Sequence, residues 1–203
     1  MQNIFKGVVD FPRNMRVITR EEFNIKKDEL LWDIRGGSLF IYPTDTIYGI
    51  GCNALDSKAV ARIRVTKRRT VQPFSIIVPN KEWILENCEV NEKARVWIEK
   101  LPGPYTLVLK LKNKNAVAKD VTNTGTIGVR LPNHWIIDVV DDMGFPIVTT
   151  SANITGQDNM TSLEDLDNDI KKNIDFCIYE GKKKGKPSSL IHLEGENAKI
   201  VKR

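Results

Sequence analysis

Short apolar runs of strand length, bordered by turn residues, alternate along this chain with stretches whose apolar side chains recur at helical spacing. Residues 38–42, 74–78, 107–111, 126–131 and 146–150 read as strands, and 176–179, 189–193 and 200–201 as three more in the tail. Thr19 and Glu22 form a capping box for a helix that continues through Leu30, Leu31 and Ile34 to Gly36-Gly37. Asp56 caps a stripe of Ala59, Val60 and Ile63, and Ala94, Trp97, Ile98 and Leu101 mark a helix closed by Pro102-Gly103-Pro104. Trp135, Ile136, Val139, Val140 and Met143 define another, with Asn133 as its cap, and Ser162 caps a helix carrying Leu163, Leu166, Ile170 and Ile174. Interleaving of this kind predicts an α/β domain. Consecutive strands without a helix between them, at 107–131 and in the tail, predict antiparallel pairs and a mixed sheet.

Composition narrows the class. With 41% hydrophobic and 28% charged residues in 203, the chain has enough apolar surface for a core and is expected to form one domain over 1–203. Three cysteines, Cys52, Cys88 and Cys177, lie far apart without a C-x-x-C, which argues against a disulfide framework and a zinc site. Apolar and charged residues mix from Phe5 and Lys6 through Asp10, Arg13, Arg16 and Arg20, and no later run approaches membrane-spanning length. The expectation is a cytoplasmic protein with no membrane segment. Thirty-one Lys and Arg against 26 Asp and Glu leave a net charge of +5, which favours anionic partners if the charge is clustered.

Neither G-x-x-x-x-G-K-[ST] nor G-x-G-x-x-G occurs, and His134 and His192 lack metal-binding spacing. Hydroxyl-rich segments directly after apolar strands remain: residues 42–49, 149–153 and 187–189. Strand ends deliver such residues to the rim of a sheet, where open α/β proteins bind ligands, although the same residue types also serve as ordinary turn chemistry. Lys58, Arg62, Arg64, Lys67, Arg68 and Arg69 cluster in one helix and its exit. Cations there complement the helix dipole, and a guanidinium beside an ammonium also suits a polyphosphate. The lysines of 182–186 read as a solvated loop or an RNA contact, and Cys52 has no evident basic setting to make it a nucleophile.

Seven short pieces follow one another: Gly36-Gly37, PTDTIYGIGCNA (43–54), the K-x-R of Lys67-Arg68-Arg69, PGPYTLVL (102–109), GVRLPNH (128–134), TSANITG (150–156) and GKPSSLIHL (185–193). In this order they resemble the YrdC family over roughly residues 26–202. The resemblance implies an open, twisted mixed sheet flanked by helices and a concave positively charged cavity; with the chain stopping at Arg203, no appended C-terminal domain is expected. It implies synthesis of threonylcarbamoyl-AMP from L-threonine, bicarbonate and ATP with Mg2+, for transfer to tRNA by a downstream threonylcarbamoyl transferase machinery. Thr46, Arg130, Thr149 and Ser188 would then bind L-threonine. Lys67 and Arg69 would be catalytic, gripping the ATP phosphates, with Thr126, Ser151, Asn153, Asn159 and Lys202 completing the nucleotide side. Thr70 after Arg69 and Pro187 before Ser188 depart from the family pattern. The alternative is a non-catalytic double-stranded RNA or tRNA binder, or a ribosome-maturation factor, on the same fold.

Overall fold

The computed structural model describes residues 15–202; the residues from Phe5 to Arg13 that entered the reading of the N-terminus lie outside them. Ten strands form one sheet: β1 (Arg16–Ile18), β2 (Phe40–Tyr42), β3 (Gly49–Gly51), β4 (Ser75–Ile77), β5 (Tyr105–Lys110), β6 (Thr126–Arg130), β7 (Ile147–Ser151), β8 (Phe176–Ile178), β9 (Ser189–His192) and β10 (Lys199–Val201). Their spatial order is β1-β8-β2-β3-β7-β4-β6-β5-β9-β10. Parallel pairs (β1/β8, β2/β8, β4/β6, β5/β9) mix with antiparallel ones (β2/β3, β3/β7, β4/β7, β5/β6, β9/β10). The mixed sheet is as expected, with one difference in the tail. There only β9/β10 is an antiparallel pair; β8 joins β1 and β2 in parallel instead.

Among the described residues seven α-helices flank the sheet: α1 (Arg20–Ile25), α2 (Lys27–Arg35), α3 (Ser57–Thr66), α4 (Lys81–Asn87), α5 (Glu92–Glu99), α6 (Ile136–Met143) and α7 (Asn168–Asn173). Helices cover much of both faces, which is why the strands read as continuous apolar runs. Phe40, Tyr42, Ile77, Ile147, Phe176 and Ile178 point to one core, shared with Phe23 of α1, Leu30 and Ile34 of α2 and Val139, Val140 and Met143 of α6. The alternate residues Ile41, Ile76, Val148 and Cys177 point to the other, with α3, α5 and α7.

Several local expectations change. The first helix breaks at Lys26 into α1 and α2, although the Thr19–Glu22 capping box forms as read. Asn133 does not cap α6: its backbone N–H donates to Asp45 Oδ2 instead, and α6 starts without a side-chain cap. The Ser162 box closes only a single 3-10 turn, Leu163–Asp165, after which Asp167 caps α7. Strands β1 and β3 and helix α4 went unread. β3 is Gly-Ile-Gly, with no side-chain alternation to detect, and its glycines leave room for the Tyr42 ring: a Cβ on Gly51 would lie 2.7 Å from Tyr42. Among the described residues no helix is long and apolar enough to cross a membrane.

Candidate active site

On the face shared with α1, α2 and α6, the helices leave the middle of the sheet bare. The register shows why this bare region is polar. Ser75 pairs with Thr149 and Gly128, Ile77 with Arg130, and Gly49 with Ser151, so these residues share the face of Ile77 and Ile147 but carry small or polar side chains. Beyond the last apolar layer the floor is therefore made of hydroxyls and glycine. Gly128 is required there, because a Cβ would meet Ser75 Oγ at 2.6 Å and Thr106 Cγ2 at 3.0 Å. The resulting cleft, about 150 Å3, is lined by Thr44, Ile47, Tyr48, Arg69, Thr106, Arg130, Thr149, Ser151, Pro187 and Ser188, among others. Its two ionic wall residues are both arginines.

Arg130, at the end of β6, is 6% exposed. Its Nη2 donates to Asp45 Oδ1 at 3.0 Å and to Thr46 Oγ1 at 3.2 Å, while Nε is buried with no partner among the described residues. Burial pulls the guanidinium below its ordinary pKa, and Asp45 opposes that shift. A buried donor left unpaired costs ~1–3 kcal/mol, so this arginine is primed for an anionic ligand. Ser188 Oγ and Thr106 Oγ1 pair at 2.7 Å along the parallel β5/β9 edge.

Arg69 reaches the cleft from the exit of α3. It lies 4.9 Å over the Phe74 ring, with Nη1 at 3.5 Å from Thr150 Oγ1 and further bonds to the Gln72 and Pro73 carbonyls. Lys67 does not join it. The side chain is 1% exposed, and Nζ donates to the carbonyls of Ser151 at 2.5 Å and Asn153 at 2.6 Å and to Asn153 Oδ1 at 3.3 Å. Burial and the nearby Arg69 pull its pKa down to about 7, whereas its three oxygen partners favour the charged form. Asn153 is used up in the same knot, accepting from Ser151 Oγ and donating to the Gln157 carbonyl.

The remaining predicted residues divide by place. Arg69, Arg130, Thr149, Ser151 and Ser188 line the cleft together. Thr46 is buried behind Arg130 rather than in the wall. Asn159 lines an adjoining hollow of about 560 Å3 with Asp158, Thr161, Asp165, Lys183 and Gly185, and Ile47 borders both hollows. Thr126 shares the floor face two residues beyond Gly128 but lies outside the cleft, its hydroxyl bonded to Thr124. Lys202 follows the Val201–Leu190 pair at the outer edge of the sheet. Ser75 and Thr106 were missed: each is one polar residue in an apolar strand, and that interruption is the signal that identifies them. Cys52 is fully buried and burial pushes its thiol up, so it is no nucleophile. Of the lysine-rich loop, Lys183 pairs with Glu180 at 3.5 Å, and Glu180 is held in turn by His134 and Trp135.

The mixed sheet thus carries an arginine-walled, hydroxyl-floored cleft. The chain belongs to the Sua5/YciO/YrdC family, whose model, described as telomere recombination, matches residues 33–203. A Methanocaldococcus jannaschii relative, named provisionally as a threonylcarbamoyl-AMP synthase, is 40% identical over 169 residues, 81% of this chain and 78% of its own length. The threonylcarbamoyl-AMP synthase of Pyrococcus abyssi is 37% identical over 154 residues, 73% of this chain and 44% of that protein, so the chain spans under half of it. The crystal structure of P. abyssi Sua5 complexed with L-threonine superposes with a TM-score of 0.80 at 31% identity, covering 92% of this chain and 56% of that one.

Proposed function

We propose that this chain is a threonylcarbamoyl-AMP synthase, converting L-threonine, bicarbonate or CO2 and ATP to L-threonylcarbamoyladenylate and pyrophosphate. The observation that carries this reading is Arg130, buried at the head of a hydroxyl-floored cleft with Nε unpaired, in a chain whose relatives are named for this activity and one of which was solved with L-threonine. Those names also support catalysis over a purely RNA-binding role.

In this reading the ligand carboxylate approaches Arg130, and the hydroxyls of Thr149 and Ser188 surround the rest of the amino acid. The neutral α-amine attacks the carbon of CO2, one C=O π bond opens onto oxygen, and the nitrogen gives up a proton to water, leaving a carbamate. A carbamate oxygen then bonds to the α-phosphorus of ATP as the bond to pyrophosphate breaks. Charge builds on the phosphoryl oxygens, and Arg69 at the lip is the side chain placed to meet it. Lys67 serves differently from a phosphate ligand: it fixes the Ser151–Asn153 loop that forms one wall. Mg2+ would enter here with ATP as the companion of its phosphates and would help neutralise the charge that builds there. The rest of the catalysis is positioning a labile carbamate beside ATP. The adenylate is a reactive mixed anhydride, and its consumer is a transferase acting on tRNA.

Pyrophosphate release measured with and without L-threonine, bicarbonate and ATP tests the assignment. Release that requires all three is expected; release indifferent to threonine would overturn it.

A further inference from the structure

Asp45 lies between the two threonines of the β2–β3 loop, has 11% of its side chain exposed, and is not itself among the residues that line the cleft. Its two oxygens have separate tasks. Oδ1 accepts from Arg130 Nη2 at 3.0 Å, and Oδ2 accepts the backbone N–H of Asn133 at 3.1 Å, in the segment that follows β6. One carboxylate thus ties the loop after β2 both to the end of β6 and to the chain beyond it.

The neighbouring hydroxyls are held by the loop itself. Thr44 Oγ1 donates to the Ile47 carbonyl at 2.7 Å, accepts the backbone N–H groups of Thr46 and Ile47 at 3.1 and 3.3 Å, and stands 3.0 Å from Thr46 Oγ1. A guanidinium only donates, so Thr46 Oγ1 is the acceptor in its 3.2 Å bond with Arg130 Nη2. Both hydrogens of Nη2 are therefore taken by the protein, by Asp45 and by Thr46. Nε is buried with no hydrogen-bond partner among the described residues, and Nη1 is engaged by neither Asp45 nor Thr46.

We propose that Asp45 is the positioning residue of the amino-acid pocket: with Thr46 it locks the rotation of the Arg130 guanidinium and presents only its remaining donors to the carboxylate of the ligand. This rests on the function proposed above. Its consequence is selective, because the brace lies on the β6 side of the cleft while Arg69 stands on an independent element. Disturbing Asp45 should weaken recognition of the amino acid and leave ATP alone.

Asp45→Asn is the decisive variant. A carboxamide of the same shape can accept from Arg130 or from the Asn133 N–H, but not both, since its nitrogen end is a donor. The KM for L-threonine is expected to rise by about tenfold or more while the KM for ATP stays within about twofold. In 15N NMR spectra the two Nη2 hydrogens of Arg130 are expected to be resolved in the parent and averaged in Asp45→Asn. An unchanged threonine KM, a parallel rise in both KM values, or averaged Nη2 hydrogens in the parent would overturn the proposal. A parent that releases pyrophosphate without threonine would overturn the function instead, and the NMR comparison would still decide the brace. Should Asp45→Asn fail to fold, Thr46→Val removes one acceptor at constant shape and is judged by the same criteria, with a threonine KM raised about threefold or more.

Discussion

Lys67 and Arg69, one residue apart at the exit of α3, occupy opposite environments: the Lys67 ammonium is enclosed by the carbonyls of Ser151 and Asn153, while the Arg69 guanidinium lies across the Phe74 ring at the lip of the cleft. The turn between them contains Arg68 at φ 51°, a left-handed residue that reverses the chain after the helix and sends the next side chain toward the cleft. The K-x-R spacing is thus built of a strut and a reaching cation.

Lys67→Met, which keeps the length and loses the donors, leaves the two buried carbonyls and Asn153 Oδ1 without their shared partner. Each unsatisfied buried group costs ~1–3 kcal/mol, offset in part by relief of a buried charge, so a net loss of ~2–4 kcal/mol is expected. Urea unfolding checks this; a midpoint equal to that of the parent would show that the strut carries no stability.

Arg69→Gln removes the guanidinium from the cleft lip, and the bonds lost to the Gln72 and Pro73 carbonyls lie within the loop that follows it. We expect kcat/KM for ATP to fall by at least tenfold, ~1.4 kcal/mol of transition-state stabilisation, with threonine binding unaltered. Steady-state kinetics with each substrate varied in turn, beside calorimetric titration of threonine, separates the two effects.

The depressed pKa of Lys67 gives a signed pH dependence. Between about 7 in the folded protein and the ordinary lysine value near ~10.4 in the unfolded chain, the unfolded state binds the extra proton. Stability therefore rises with pH through this window relative to Lys67→Met, in which the group is absent, and the advantage is lost as pH falls through 7. The difference between the two proteins' unfolding free energies at pH 6.5 and about 9 measures it; a constant difference would contradict the shift.

Gly185 crosses directly over the loop that holds Thr46: a Cβ there would lie 1.8 Å from the Thr46 carbonyl oxygen, a backbone atom that cannot swing aside. Gly185→Ala must lift the strap from the loop. A cost of ~1–3 kcal/mol is expected from the forced displacement, together with weakened threonine binding. Thermal denaturation with and without saturating threonine reports both, and a variant with an unchanged threonine-induced shift would separate the strap from the pocket.

How much of this was legible from sequence follows from what each residue type can signal. Strands buried on both faces announce themselves as apolar runs, so β2, β4, β5, β6 and β7 were readable, whereas Gly-Ile-Gly in β3 was not, since its glycines answer to the Tyr42 ring across the pair. Hydroxyl-rich strand ends pointed to Thr149, Ser151 and Ser188, and the structure gathers them with Arg69 and Arg130. Ser75 and Thr106 escaped notice because a lone polar residue in a strand means little until the register shows it beside Gly128. A basic cluster in sequence carries no record of which members are buried, so the enclosure of Lys67 beside a cleft-lining Arg69 is legible only in the structure.

The order of strands in the sheet also determines when the site can exist. The cleft draws on residues from Thr44 to Ser188, and β9 must dock beside β5 before Ser188 meets Thr106. Pairings this distant in sequence are slow to close and pay their loop entropy first. A chain emerging from the ribosome therefore has no complete cleft until β9 has been made and has docked beside β5. Before that the polar floor of the sheet is only partly walled, so a ligand of the cleft stabilises the closed sheet rather than guiding its assembly.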